Sequence, residues 1–105
     1  MDAQLKKGTL EVCVLASLIE GPSYGYKIVK DLKDVVDISE STLYPILRRL
    51  EKGEYLTTHS EEANGRLRKI YEITDEGYEK IMDYVIDFKE LLKIYKYIER
   101  GVRHD

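Results

Sequence analysis

Residues 38–50, ISESTLYPILRRL, constrain the fold more than any other stretch, because they can form one helix with two chemically different faces. At 100° per residue, one side is an apolar stripe made of Leu43, Ile46, Leu47 and Leu50. Cations and hydroxyls occupy the opposite side, as is typical of a helix that contacts phosphates and base edges in a DNA groove. That side and its flanks carry Ser41, Thr42, Tyr44, Pro45, Arg48, Arg49 and Lys52. Taken alone, the stretch also fits a solvated surface that happens to be basic.

Two further helices are predicted ahead of this one. Residues 10–20 are apolar around most of a helical circumference. Gly21 and Pro22 end that helix, since proline cannot continue it and the residue before proline is pushed out of the helical region. Ser23 is then placed to cap a second helix over residues 24–36.

The start of the third helix is predicted from its hydroxyl residues and its proline. Residues 37–40 form the turn, and Ser41 or Thr42 is expected to cap the helix. Pro45 fits best in a first turn, where the amide that it lacks would have no partner. The third helix is therefore expected to begin near residue 42 or to be kinked at Pro45.

After Gly53 the hydrophobic period changes from 3.6 to 2, which indicates strands. Residues 55–61 and 66–73 are predicted to form a hairpin around Asn64 and Gly65, because Asn-Gly favours a tight turn with positive φ at both positions. Three helices followed by a hairpin make a winged helix-turn-helix, so the predicted fold class is mainly α with a β-hairpin wing. Residues 1–73 would form this DNA-binding domain. Just past the turn, where a wing would touch the DNA backbone, lie Arg66, Arg68 and Lys69.

Residues 74–105 are predicted to form one long C-terminal dimerisation helix, capped by Thr74 and ending near Gly101. The roughly 26 residues between Thr74 and Gly101, at about 1.5 Å each, would form a helix about 39 Å long, more than the preceding domain of some 73 residues can cover. Its apolar stripe therefore needs a partner chain, and the apolar first helix is the best candidate to pack there. The predicted homodimer interface consists of Leu10, Val14, Ile81, Val85, Phe88, Leu92 and Tyr95.

Composition limits the functional classes. With 105 residues, 43% of them hydrophobic, the chain is one small domain whose stability should gain from association. It has no run of 18 apolar residues and no signal-peptide pattern, so we expect an intracellular, cytoplasmic protein that does not enter a membrane. The net charge of −3 is unusual for a DNA-binding protein, so the cations must act through local clustering.

The residue types needed for other chemistry do not occur in suitable patterns. His59, His104 and Cys13 have no metal-ligand spacing, and Cys13 lies on an apolar helix where it is expected to be core. No glycine-rich phosphate loop occurs, and Gly25 is expected to allow close helix packing. Ser39, Ser41 and Ser60 have no nearby base on a common face, so nucleophilic catalysis is unsupported. We therefore predict no enzyme activity, no cofactor and no metal.

Five segments together carry a family resemblance. They are residues 5–10 (LKKGTL), 21–28 (Gly-x-x-Tyr-Gly-Tyr-x-Ile), 39–52 (Ser-x-x-Thr-Leu-Tyr-Pro-x-Leu-x-Arg-Leu-Glu-Lys), 64–71 (Asn-Gly-Arg-x-Arg-Lys-x-Tyr) and 73–77 (Ile-Thr-x-x-Gly). The chain resembles the PadR family of bacterial transcriptional repressors over residues 5–77. Its short tail is similar to the subfamily with one C-terminal dimerisation helix.

The resemblance implies a homodimer that binds a palindromic double-stranded DNA operator and releases it when an effector or a stress signal arrives. By position, the family's DNA contacts fall on Tyr24, Ser41, Thr42, Tyr44, Pro45, Arg48, Arg49, Lys52, Arg66, Arg68 and Lys69. Some short members of the family bind flat aromatic molecules between tryptophans at the dimer interface. This chain has no Trp, and Phe88 takes the matching place.

Two questions stay open at the level of sequence. Phe88, with Tyr84 beside it, can pack as dimer core or can stack on a small aromatic effector. The winged helix could also be a protein–protein adaptor, because this fold need not bind DNA. The cationic helix face favours DNA, since an adaptor would expose leucines or aromatic residues there.

Overall fold

The computed structural model describes residues 3–103, with side chains described for residues 7–102. Four helices and two strands follow one another along the chain. They are α1 (Ala3–Ala16), α2 (Gly25–Leu32), α3 (Glu40–Lys52), β1 (Leu56–Ala63), β2 (Arg66–Ile73) and α4 (Asp75–Arg103). This architecture confirms the predicted fold class of a mainly α protein with a hairpin wing and a long C-terminal helix.

The core lies where α1, α2 and α3 meet, with contributions from the hairpin and the start of α4. Helix α3 buries the predicted stripe of Leu43, Ile46, Leu47 and Leu50. Helix α1 contributes Val14 and Leu15, which are fully buried. Packing of these aliphatic side chains fixes α3 on the domain and leaves its opposite face in solvent.

Helix α1 begins earlier and ends earlier than residues 10–20. Its regular part stops at Ala16, and the chain then continues in tighter turns, in which the amides of Leu18 and Ile19 bond to the carbonyls three residues before them. Such tightening of a last turn is a common way to satisfy terminal carbonyls. The helix therefore ends in tighter turns a few residues before Gly21 and Pro22.

Ser23 does not cap α2, contrary to the prediction. Its backbone amide and carbonyl pair with Tyr71 at 3.0 and 2.8 Å, which adds a short bridge to the hairpin. Tyr24 takes the N-cap position without a side-chain hydrogen bond, and the helix ends at Leu32 rather than at residue 36. The backbone pairing of Ser23 therefore ties the start of α2 to the wing.

The cap of α3 is Ser39, so the prediction of Ser41 or Thr42 was wrong. The Ser39 hydroxyl accepts a hydrogen bond from the Thr42 amide at 3.2 Å. The helix consequently begins at Glu40, and Pro45 lies in its second turn rather than its first. Proline has no amide hydrogen to donate to the carbonyl four residues earlier, which here belongs to the exposed Ser41.

The hairpin matches its prediction closely. Asn64 and Gly65 both have positive φ, of 54° and 76°, as the tight Asn-Gly turn requires. The strands pair antiparallel from Leu56 opposite Ile73 to Ala63 opposite Arg66. This register fixes which wing residues project beside α3.

Helix α4 is capped as predicted and is longer than predicted. The Thr74 hydroxyl accepts a hydrogen bond from the Gly77 amide at 3.1 Å and donates one to the Glu54 carbonyl at 2.7 Å. Gly101 does not end the helix, which runs on to Arg103. At 29 residues, α4 is about 43 Å long and accounts for much of the 64 Å long axis of the molecule.

Candidate nucleic-acid interface

The outer face of α3 presents cations and hydroxyls to solvent. Arg48 and Lys52 are exposed on the side opposite the buried stripe, as is Ser41 near the start of the helix. The hydroxyls of Ser39 and Ser41 lie 2.9 Å apart, next to that of Thr42. Cations and small hydroxyls of this kind are suited to a helix that lies in a major groove, where they can reach base edges.

Tyr44 links α3 to the start of α2. A Cβ on Gly25 would lie 2.7 Å from the Tyr44 hydroxyl oxygen, so the absence of a side chain at Gly25 gives that ring its place. Burial, followed by the negative charge of Glu40 and a hydrogen bond to it, raises the pKa of the Tyr44 hydroxyl above 10.0. The prediction that Gly25 permits close packing is confirmed, although its neighbour is a side chain of α3.

The wing places its cations close to Tyr24, at the start of α2, and to α3. The guanidinium of Arg68 lies 4.0 Å from the centroid of the Tyr24 ring, a cation–π contact that orients both groups. Lys69 lies 3.7 Å from a carboxylate oxygen of Glu51 on α3. Arg66, next to the turn, is exposed.

A groove of about 480 Å³ lies between the wing, the start of α2 and the start of α3. It brings together five of the residues predicted to contact DNA, which are Tyr24, Tyr44, Arg66, Arg68 and Lys69. Among the groove-lining residues described, Glu40 is the acidic one. Arg48, Arg49 and Lys52 lie outside the groove, further along α3, so the predicted residues form two adjoining surfaces.

Sequence reasoning missed one apolar group at this groove, which is Leu67, 79% exposed on the wing. Tyr26 on α2, which the sequence places on the presumed DNA side, also lines the groove and is 63% exposed. An apolar residue between two arginines beside a hairpin turn is the signal that could have identified Leu67. Exposed apolar groups of this kind contact sugars and base edges in complexes with nucleic acid.

Arg49 differs from the other cations because it is paired across helices. Its Nε donates to a carboxylate oxygen of Glu11 on α1 at 3.1 Å. The side chain of Arg49 is still 42% exposed, whereas that of Glu11 is 17% exposed. The predicted DNA contact at Arg49 thus coincides with a fixed ion pair.

The predicted dimer interface is partly buried in the protomer and partly exposed. Val14 has no exposed surface because it lies in the protomer core, so its side chain cannot reach a partner in this arrangement. Ile81 is also buried and Leu10 is half-buried. The remaining predicted residues, Val85, Phe88, Leu92 and Tyr95, are exposed along α4.

An apolar groove of about 450 Å³ follows the outer half of α4. It is lined by Phe88, Leu91, Leu92, Ile94, Tyr95 and Ile98. Nearer the domain, the rings of Tyr84 and Phe88 stack with centroids 6.1 Å apart and planes at 15°. Tyr84 also shares a hydrogen bond of 2.8 Å with Thr9 of α1.

Among the described residues, no group of three or more His, Cys, Asp or Glu side chains could hold a metal ion. His59 lies 2.9 Å from Glu61 on the exposed wing, and His104 lies outside the described residues. Over that same part of the chain, no helix has the length and apolar character needed to span a membrane.

Comparison with known proteins decides the family. Residues 14–83 match the profile of the transcriptional regulator PadR-like family. The chain belongs to this family of transcriptional regulators. The matched region begins near the end of α1 and extends into the first turns of α4, so it contains α2, α3 and the whole hairpin.

Solved structures of transcriptional regulators agree with this assignment. A PadR family regulator from Eggerthella lenta is 35% identical, with a TM-score of 0.81 over 90% of this chain and 85% of that one. A transcriptional regulator from Clostridium thermocellum is 30% identical, with a TM-score of 0.80 over 91% and 95% of the two chains. Bacillus subtilis PadR, solved in complex with operator DNA, is 25% identical, with a TM-score of 0.70 over 74% of this chain and 47% of that one.

Proposed function

We propose that this PadR-like regulator is a homodimeric repressor that binds a palindromic operator and releases it when an effector binds. The exposed cationic face of α3, continuous with the cationic groove at the wing, carries the DNA-binding part of this proposal. The operator complex of the Bacillus subtilis relative supports the same use of the fold.

The geometry supports a division of labour between the two surfaces. Arg48 and Lys52 lie directly opposite the buried stripe of α3, on the side from which a helix in the major groove reaches base edges. Arg66 and Arg68 project from the wing, where they would meet phosphates or the minor groove. The α3 residues would therefore give sequence preference, and the wing residues would give affinity for any sequence.

The exposed apolar face of α4 supports the homodimer. A monomer rarely leaves so continuous an apolar surface in water, and here it extends along α4 from Val85 to Ile98. A two-fold dimer joined along α4 would present two α3 helices to successive major grooves about 34 Å apart, which is the geometry of a palindromic operator.

The stacked rings of Tyr84 and Phe88 support an effector at this seam. Phe88 is about half exposed, so a flat aromatic molecule could extend the stack at the dimer axis. Tyr84 bonds to α1, which packs against α3, so a ligand there would be connected to the DNA-binding face.

The decisive experiment is binding of the purified protein to the DNA upstream of its own gene across a salt series. We expect tight, salt-dependent binding to a palindromic segment, and Arg48→Ala should weaken it by about 1–3 kcal/mol with loss of preference at one base per half-site. Lys93→Ala, on the polar side of α4, is the matched control and should bind normally. Unchanged binding in Arg48→Ala and Lys52→Ala would contradict the assignment of α3. A promoter reporter would then distinguish repression from activation, and an absence of DNA binding would favour a protein-binding adaptor.

A further inference from the structure

The ion pair between Arg49 and Glu11 joins the outer face of α3, which is proposed to bind DNA, to α1. We propose that Glu11 is a positioning residue, which holds Arg49 at the edge of α3 in the orientation that binds a DNA phosphate. The inference rests on the proposed function and adds to it a residue of α1.

Arg49 lies at the flank of the α3 face rather than at its centre. On a helical projection it is about 60° from Lys52 and about 100° from Arg48, toward the side that faces α1. When a helix lies in the major groove, its centre faces the base edges and its flanks face the two phosphate backbones. A cation at the position of Arg49 is therefore placed for a phosphate.

The contact with Glu11 leaves the phosphate-binding end of the guanidinium available. Only Nε is engaged, at 3.1 Å, and the described residues place no acceptor on the two terminal nitrogens. Those nitrogens carry four N–H donors, which can bind a phosphate in a bidentate manner. Glu11 itself is mostly enclosed and sits in the middle of a packed helix, so it is a rigid anchor.

Anchoring of this kind improves binding because a free arginine must lose its rotamer freedom when it meets DNA. The ion pair removes much of that freedom before the complex forms. Glu11 could instead compete with the phosphate and keep Arg49 away from DNA. The exposure of Arg49 and the single contact through Nε favour positioning, because a competing carboxylate would occupy the terminal nitrogens.

Two variants of equal charge separate these effects. Glu11→Ala removes the acceptor, whereas Glu11→Gln keeps an acceptor oxygen for Nε and loses the same negative charge. We expect Glu11→Ala to bind operator DNA about fivefold more weakly than Glu11→Gln, with a slope of log affinity against log salt lower by about 0.9, which is the value of one phosphate contact. In the background of Arg49→Ala, the two Glu11 variants should bind equally.

Thermal unfolding of each variant shows whether it is folded. If Glu11→Ala does not fold, Arg49→Lys takes its place, because lysine keeps the charge but has no Nε. Arg49→Lys should bind more weakly than the wild type.

Equal affinity and equal salt slope in Glu11→Ala and Glu11→Gln would overturn the inference, as would equal binding by Arg49→Lys and the wild type. Tighter binding by both Glu11 variants, to the same degree, would show that Glu11 competes with DNA. Failure of the wild type itself to bind DNA would instead refute the proposed function.

Discussion

At the residue scale, two glycines of α4 differ in the space that a side chain would have. A Cβ on Gly77 would overlap the Tyr55 carbonyl oxygen and would lie 2.8 Å from a side-chain carbon of Ile73, so no side chain fits there. Nothing lies within 4 Å of a Cβ on Gly101. We therefore expect Gly77→Ala to destabilise the protein by about 2 kcal/mol or more, since backbone must move. Gly101→Ala should stabilise it by about 0.5 kcal/mol through helix propensity. Urea unfolding of the two variants tests this pair, and equal effects would contradict the packing described for Gly77.

Gly25 has a different role, since its close neighbour is the end of a movable ring. Gly25→Ala would displace the Tyr44 hydroxyl, which lies 2.7 Å from the added carbon, while the rest of the fold can stay in place. We expect a weaker operator complex with a nearly unchanged unfolding midpoint, measured by fluorescence anisotropy and circular dichroism. Gly8→Ala on α1, with nothing within 4 Å, is the matched control. Normal DNA binding by Gly25→Ala would show that the place of Tyr44 does not matter for DNA.

At the scale of single elements, the wing should act on affinity rather than on specificity. Neutralising Arg66 removes an exposed cation next to the turn and should lower affinity for all DNA sequences about equally. The slope of log affinity against log salt should fall by about one. Lys69→Ala should have a smaller effect, because Lys69 already interacts with Glu51 at 3.7 Å. A changed base preference with a normal salt slope in Arg66→Ala would reverse the proposed division of labour.

The elements also show which parts of the fold the sequence could reveal. The turn at Asn64 and Gly65 and the cap at Thr74 were predictable, because each depends on side chains within a few residues. Ser23 fits the same local rule for a cap, but its backbone pairs with Tyr71 in a strand far along the chain. A local pattern cannot reveal such a long-range pairing.

The candidate site also has features that the sequence could predict and features that it could not. Periodicity identified the outward face of α3, since facing on a helix depends on spacing, and the Asn-Gly turn located the cations of the wing just past it. It could not reveal that Arg49 is held by Glu11 of another helix, or that Val14 is enclosed by its own protomer. Gly101 shows a further limit, because helix propensity predicted an end where α4 continues.

At the scale of the whole molecule, the extended shape raises the question of what covers α4. The helix is about 43 Å long in a molecule only 26 and 22 Å across its short axes, so most of its outer half cannot be buried by its own domain. In the proposed homodimer, a second copy would cover the exposed apolar side chains of this half.

Charge substitutions along α4 test this assembly. Val85→Glu or Leu92→Glu would bury an unpaired carboxylate in the seam, which is costly, so we expect dissociation to monomers and loss of binding to a two-half-site operator. Lys93→Glu, on the polar side of the same helix, is the matched control and should remain dimeric. Sedimentation equilibrium at micromolar concentration measures the assembly, and circular dichroism verifies folding. A monomeric wild type would refute the dimer. A dimeric, DNA-binding Leu92→Glu would place the interface elsewhere and remove the basis for an effector beside Phe88.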